Sequence, residues 1–161
     1  MGQIRAATPA DVVAIAPNLR DADRAEIEAY VGVPASPLLL LSFADYCDRV
    51  WALETSEGAV AAILGTHPVP GWPHVGVVWL IGTDHLRTHR VEFLRGCRKY
   101  LPEIYGPYDL LTNAVDERNV LHQRWLKWLG FTFTRRLETY GAQGRPFIEF
   151  IGIKPEPCAH P

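Results

Sequence analysis

Two periods organise the hydrophobic residues of this chain. Short apolar runs at Val50–Glu54, Ala59–Leu64, Val75–Ile81, Leu110–Val115, Phe131–Thr134 and Phe147–Ile153 have the length of strands. Val75–Ile81 is apolar without interruption, as expected for a central strand covered on both faces. Elsewhere the apolar positions recur at helical spacing: Leu86, Phe93, Leu94, Cys97 and Leu101 in one segment, and Leu121, Trp125, Trp128 and Leu129 in another.

Turn and cap residues set the boundaries. After a short strand at Gln3–Ala6, Thr8-Pro9-Ala10-Asp11 is a helix start: Thr8 caps, Pro9 fits the first turn and Asp11 favours the positive helix end. That helix runs to about Ala16 and stops at Pro17. Asp21 or Asp23 caps a second helix through Tyr30, ended by Gly32, and Leu38–Cys47 forms a third. Thr55-Ser56-Glu57-Gly58 turns a hairpin. His67–His74, with three prolines, reads as a stiff loop presenting Trp72 as an exposed anchor for a partner protein. Gly82-Thr83-Asp84 opens the next helix with Asp84 as its cap, and Gly96 inside it marks close helix packing. Asp116–Leu129 is the last helix, capped by Asp116 and stopped by Gly130. Closing strands at Phe131–Thr134 and Phe147–Ile153 are joined through Gly141 and Gly144. Helices segregate early and alternate with strands late, which predicts a mixed α/β sheet with helices on both faces. Residues 1–153 form one domain, and 154–161, with three prolines, form a flexible tail.

The chain has 161 residues, 48% hydrophobic and 21% charged, which suits one folded domain. A net charge of -2 argues against a dedicated nucleic-acid binder, although Arg87, Arg90, Arg95, Arg98 and Lys99 give one helix a basic, solvated face. Three widely spaced cysteines make no disulfide framework, and a reducing compartment is the simpler expectation. No apolar run reaches membrane-span length, and the first residues carry no signal segment. His85 and His89 have the spacing of a metal pair, but nothing completes a ligand set, so no metal is expected.

Asn119-Val-Leu-His122-Gln-Arg-Trp125-Leu126-Lys-Trp128-Leu-Gly130-Phe131 resembles the signature of the GNAT N-acetyltransferases, in which an Asn begins the last long helix and Leu-Gly-Phe ends it. The order of elements is similar too, and the resemblance implies a mostly antiparallel sheet of about seven strands. Val78–Thr83 and Asn113–Leu126 are similar also to GNAT-like internal virion proteins of short-tailed phages. That likeness implies a virion-associated protein or assembly factor, located in the host cytoplasm or the particle, with phage or virion proteins as partners. The GNAT resemblance implies acetyl-CoA as cofactor and a small amine or protein as acceptor. It places the cofactor against Leu80, Ile81, Gly82, Arg87, Thr88, His89, Arg90 and Asn119. The phosphate cradle of the family needs small residues so that backbone N–H groups can approach. Here Thr88 and Arg90 stand in those places, and Leu126 stands where many members carry a Tyr acid. Arg87 and Arg90 could hold phosphate by side chain instead. Candidate bases are His122, Glu54 and Asp116. His122 is set against a reading as a packing histidine, and Asn113 and Asn119 against one as backbone-satisfying groups. Three functions follow: a virion-associated protein with a degenerate acetyl-CoA site, a working N-acetyltransferase, or a protein-interaction module using Trp72 and the late hairpin loop.

Overall fold

A computed structural model describes residues 2–155. Its strands are β1 (Ile4–Ala6), β2 (Arg49–Glu54), β3 (Val60–Val69), β4 (Trp72–Gly82), β5 (Leu110–Asp116), β6 (Thr132–Tyr140) and β7 (Arg145–Ile153). The helices are α1 (Pro9–Ile15), α2 (Asp21–Val31), α3 (Pro37–Tyr46), α4 (His85–Thr88), α5 (Arg90–Tyr105) and α6 (Val120–Trp128), with a 3-10 turn over Ala16–Asn18. The strands form one sheet in the order β1-β2-β3-β4-β5-β7-β6. Every neighbouring pair is antiparallel except β4 and β5, which are parallel.

Successive strand residues point to opposite faces, and both faces are covered. Trp51, Leu53, Leu64, Val78 and Leu80 point to one side, where they pack with Cys97 and Ile104 of α5 and Leu126 of α6. Ala52, Ile63 and Ile81 point to the other, against Val12 and Ile15 of α1, Ile27 of α2 and Leu40 of α3. This explains why Val75–Ile81 shows no polar alternation: each of its faces meets a helical layer.

Several boundaries differ from the sequence expectation. The proline segment is a hairpin tip rather than a stiff loop: β3 runs through Pro68 to Val69, and Gly71 turns the chain at φ 80° into β4. Pairing with only one neighbour spares these residues the hydrogen bonds a proline cannot make. Trp72 is exposed at that tip. Neither Asp21 nor Asp23 caps α2, whose N-cap is Arg20 without a side-chain bond; Asp23 is buried instead. Asp84 makes no capping bond either. Asp116 caps nothing: α6 starts at Val120, and its cap is the Asn119 side chain, which accepts from the His122 N–H at 3.4 Å. A Cβ placed on Gly96 would meet nothing within 4 Å, so that glycine does not mark close packing. Lys154, expected in the tail, is held to the domain: it donates its backbone N–H to the Asp109 carbonyl at 2.8 Å and its Nζ to the Gly106 carbonyl at 2.6 Å. The rest of the expected tail, with Cys158, lies outside the described residues.

The parallel pair at the sheet centre is incomplete. β4 and β5 pair only at Val75–Leu110, Gly76–Leu111 and Val77–Thr112, although β4 runs to Gly82 and β5 to Asp116. Asn113 stands where the pairing ends. Its side-chain amide donates to the Val78 carbonyl at 2.9 Å and accepts from the Ala114 N–H at 2.8 Å. One side chain thus satisfies two backbone groups that a continuing ladder would have paired, and the strands part beyond it.

Candidate active site at the parted strands

Two hollows flank the gap between β4 and β5. The larger, about 830 Å³, lies between the end of β4, the start of α5 and α6, and Arg87, Arg90 and Arg124 line it. The other, about 550 Å³, lies on the α2–α3 side. Leu80 and His122 line both. At the far end of the gap, the Gly82 N–H donates to Asp23 Oδ2 at 2.8 Å, and the Gly82 carbonyl accepts from the Arg20 N–H at 2.9 Å. Val78 and Gly82 therefore both turn backbone polar groups to this edge of β4. Leu80 lies between them in unbroken register, so alternation turns its N–H and carbonyl into the gap as well.

His122 is 8% exposed, and its Nδ1 has no hydrogen-bond partner among the described residues. Burial pushes its pKa down to about 4, only partly opposed by the nearby Asp23 carboxylate. At neutral pH it is a neutral imidazole in which one nitrogen carries a proton and one accepts.

A buried polar cluster lies behind it. Arg20 and Asp23 form a two-bond ion pair at 2.6 and 2.8 Å. Asn119 Nδ2 donates to Asp23 at 3.2 Å and to Glu26 Oε2 at 2.8 Å. Asp116 is buried and accepts from the Arg118 backbone and guanidinium. Glu26, which sequence reasoning missed, lines the smaller hollow together with His122. Burial foremost, then the Asp23 and Asp116 charges, push its pKa up to about 8, against the Asn119 bond. No sequence signal marks it: an acidic residue on the amphipathic α2 reads as solvated.

The residues named from the sequence separate in space. Leu80, Arg87, Thr88 and Arg90 line the larger hollow. Ile81 faces the α1–α3 layer and the smaller hollow. Gly82 has its backbone tied to Asp23 and Arg20, as above. Asn119 spends its side chain on the α6 cap and the two carboxyl groups. His89 lies with Glu54 in a separate small cleft. Glu54 is held there by Gln3 and Arg5, whose hydrogen bonds keep its carboxyl below the usual range. His122 is the candidate base that stands at the gap, whereas Asp116 is bound up with Arg118. Leu126 is buried in the main core, so the position that resembles a Tyr acid does not open onto the larger hollow.

The segment that resembles a phosphate cradle is a helical turn. The N–H groups of Leu86, Arg87, Thr88 and His89 donate to Thr83, Asp84, Asp84 and His85 carbonyls, which takes them out of use. The ladder then breaks at His89, and α5 starts afresh. As at any helix start, its first N–H groups have no partner in their own ladder, and no side chain caps them. Among the described residues, no three His, Cys, Asp or Glu side chains gather as a metal site. No helix among them is long and apolar enough to cross a membrane.

No family model and no curated protein sequence matches the chain. Solved structures do. A GNAT superfamily phosphinothricin acetyltransferase from Sinorhizobium meliloti, in complex with AcCoA, has TM-score 0.70 and 13% identity over 99% of this chain and 92% of its own. A GCN5-related N-acetyltransferase from Kribbella flavida has TM-score 0.67 and 20% identity over 94% and 97%. The aminoglycoside acetyltransferase AAC(6')-Ib, in complex with coenzyme A, has TM-score 0.68 and 11% identity over 96% and 95%. At these identities the likeness establishes the fold: the chain has the GNAT architecture.

Proposed function

We propose that this protein is an acetyl-CoA-dependent N-acetyltransferase that holds the coenzyme phosphates mainly with arginine side chains. One observation carries the reading: two separate hollows meet at a strand gap lined by Leu80 and by a neutral histidine whose buried Nδ1 has no hydrogen-bond partner among the described residues. Such an arrangement lets a donor and an acceptor approach one point from opposite sides.

A coenzyme A thioester fits the larger hollow on chemical grounds. Arg87, Arg90 and Arg124 present guanidinium donors suited to phosphate, and the uncapped start of α5 adds a positive dipole end. The internally bonded turn at α4 is why side chains, rather than a backbone loop, carry the phosphates. When bound, acetyl-CoA supplies an acetyl carbon activated by its thioester. The Leu80 backbone N–H, turned into the gap, is placed to steady negative charge on an acyl oxygen. His122 accepts the proton that the amine nitrogen sheds as its bond to carbon forms. Leu126 has no acidic hydrogen, so the same imidazole passes that proton to the departing sulfur. Atoms balance: an amine and a thioester give an amide and a thiol.

The test is thiol release from acetyl-CoA in the presence of a panel of primary amines. The reading predicts amine-dependent release that His122→Ala lowers by about 10²-fold or more while acetyl-CoA affinity is kept. No release with any amine counts against it. A second reading, favoured by the loss of cradle amides at α4, is a non-catalytic GNAT-fold protein. Its virion role rests on the resemblance of residues 78–83 and 113–126 to phage virion proteins. Mass spectrometry of purified particles tests that role, and absence from particles removes it.

A further inference from the structure

We infer that the smaller hollow is an acceptor pocket for amines with a single positive charge and an aromatic or aliphatic body, with Glu26 as the counter-ion. This rests on the acetyltransferase reading only in calling the ligand an acceptor; the recognition itself stands on the pocket.

Charge pairing is the first support. Three carboxyl groups converge on Asn119 and the start of α6, but only two cations are bonded to them. Arg20 pairs with Asp23 and Arg118 with Asp116. Glu26 receives the Asn119 amide and the Asp116 backbone N–H, both neutral donors; Arg118 attracts it only from a distance, and among the described residues no ion pair reaches it. A half-buried carboxyl facing the pocket, with a hydrogen-bonding amide holding its position, has room for one directly bonded cation. Its second support is the lining. Among the described residues, no Lys or Arg lines this pocket, so an acidic ligand would find no counter-charge. Glu26 is its one carboxylic acid, so a polycation would leave its other charges desolvated and unpaired.

The walls supply the third support. Tyr30, Phe43, Tyr46, Trp79, Tyr140 and Phe147 surround the pocket. Tyr30 and Tyr140 stack at 5.8 Å between ring centres, and Phe43 meets Trp79 edge-on at 6.4 Å. Aromatic faces attract ammonium groups and cover apolar bodies alike. The wall is also braced: the turn after β6 donates from Ala142 and Gln143 to the Tyr30 and Ala29 carbonyls at the end of α2. The pocket is therefore set before a ligand arrives.

The experiment compares 2-phenylethylamine, 2-phenylethanol and 3-phenylpropionate by titration calorimetry on the full chain at pH 8.5, without coenzyme. The three share one body and differ in charge. The amine is expected to bind at least about tenfold more tightly than the alcohol, and the carboxylate more weakly than both. Glu26→Gln is expected to bring the amine down to the level of the alcohol and leave the alcohol unchanged. Equal affinity of amine and alcohol for the natural protein overturns the inference without any variant. An unchanged amine preference in a folded Glu26→Gln protein, checked by circular dichroism, overturns it too. Acetyl-CoA is titrated separately. Amine selectivity without coenzyme binding refutes the acetyltransferase reading alone, and coenzyme binding without amine selectivity refutes this one alone.

Discussion

Replacing Glu26 with Gln should make the protein more stable above neutral pH, by an amount the two displaced pKa values define. Glu26 is raised from its ordinary 4.5 to about 8, so the native state holds this proton more tightly than the unfolded chain does. The stability it contributes is complete below pH 4.5 and is lost as pH rises to about 8. His122 is displaced the other way, from 6.5 to about 4. Its contribution is complete above pH 6.5 and is lost as pH falls towards 4. From pH 4.5 to 6.5 the two slopes oppose each other, and from 6.5 to 8 only that of Glu26 remains. That window spans about 1.5 pH units, worth about 2 kcal/mol at about 1.36 kcal/mol per unit. The charges facing Glu26 are Asp23, Asp116 and Arg118, with neutral Asn119 and His122, and the substitution leaves them all in place. Gln keeps the volume and still accepts from Asn119. Urea unfolding followed by tryptophan fluorescence at pH 6.5 and 8.0 measures the effect. The natural protein should lose about 2 kcal/mol more across this interval than Glu26→Gln, roughly 4–8 °C in Tm. Parallel losses in the two proteins would refute the placement of Glu26 as a half-buried carboxyl with no bonded cation.

Three further outcomes are expected, one at the same carboxyl and two elsewhere in the molecule. Binding of 2-phenylethylamine at pH 7 should release up to about one proton, because the ammonium draws Glu26 into its ionised form; calorimetry in buffers of different ionisation enthalpy reads this, and no release would contradict the pairing. Asn113→Ala should cost about 1–3 kcal/mol in urea unfolding, since the Val78 carbonyl and the Ala114 N–H both lose their partner. Gly96→Ala should stabilise by about 1 kcal/mol, because the added methyl enters open space inside α5 and the unfolded chain loses freedom.

Local chemistry made much of the fold legible. Thr8 and Asp11 form the capping box expected at α1, Gly32 ends α2 in the left-handed region, and Gly130 follows α6 at φ 93°. The hydrophobic periods located every strand to within a few residues, apart from the hairpin tip and the longer β6. Prolines at that tip read as a loop because a ladder ordinarily excludes them, and nothing local shows that the strands there have only one neighbour. The site was legible on one side. His122, Leu80, Arg87 and Arg90 lie in segments whose order of elements already brought them together. Glu26 was not legible, because it reaches Asn119 across 93 positions of chain, and only the packing of α2 over the sheet makes that contact. The break at His89 was equally hidden, since His85–Arg90 has no residue that forbids a continuous helix. The orphan Nδ1 of His122 is a property of its surroundings, not of its place in the sequence.

On the function proposed above, guanidinium groups beside the parted strands hold a coenzyme A thioester. Calorimetric titration of acetyl-CoA into the natural protein and into the Arg87→Ala, Arg90→Ala double variant tests it most directly. Binding is expected to be micromolar, to weaken by about 10²-fold or more in the double variant, and to weaken with added salt in the natural protein. No heat up to millimolar acetyl-CoA, or equal affinity in the two proteins, would contradict it.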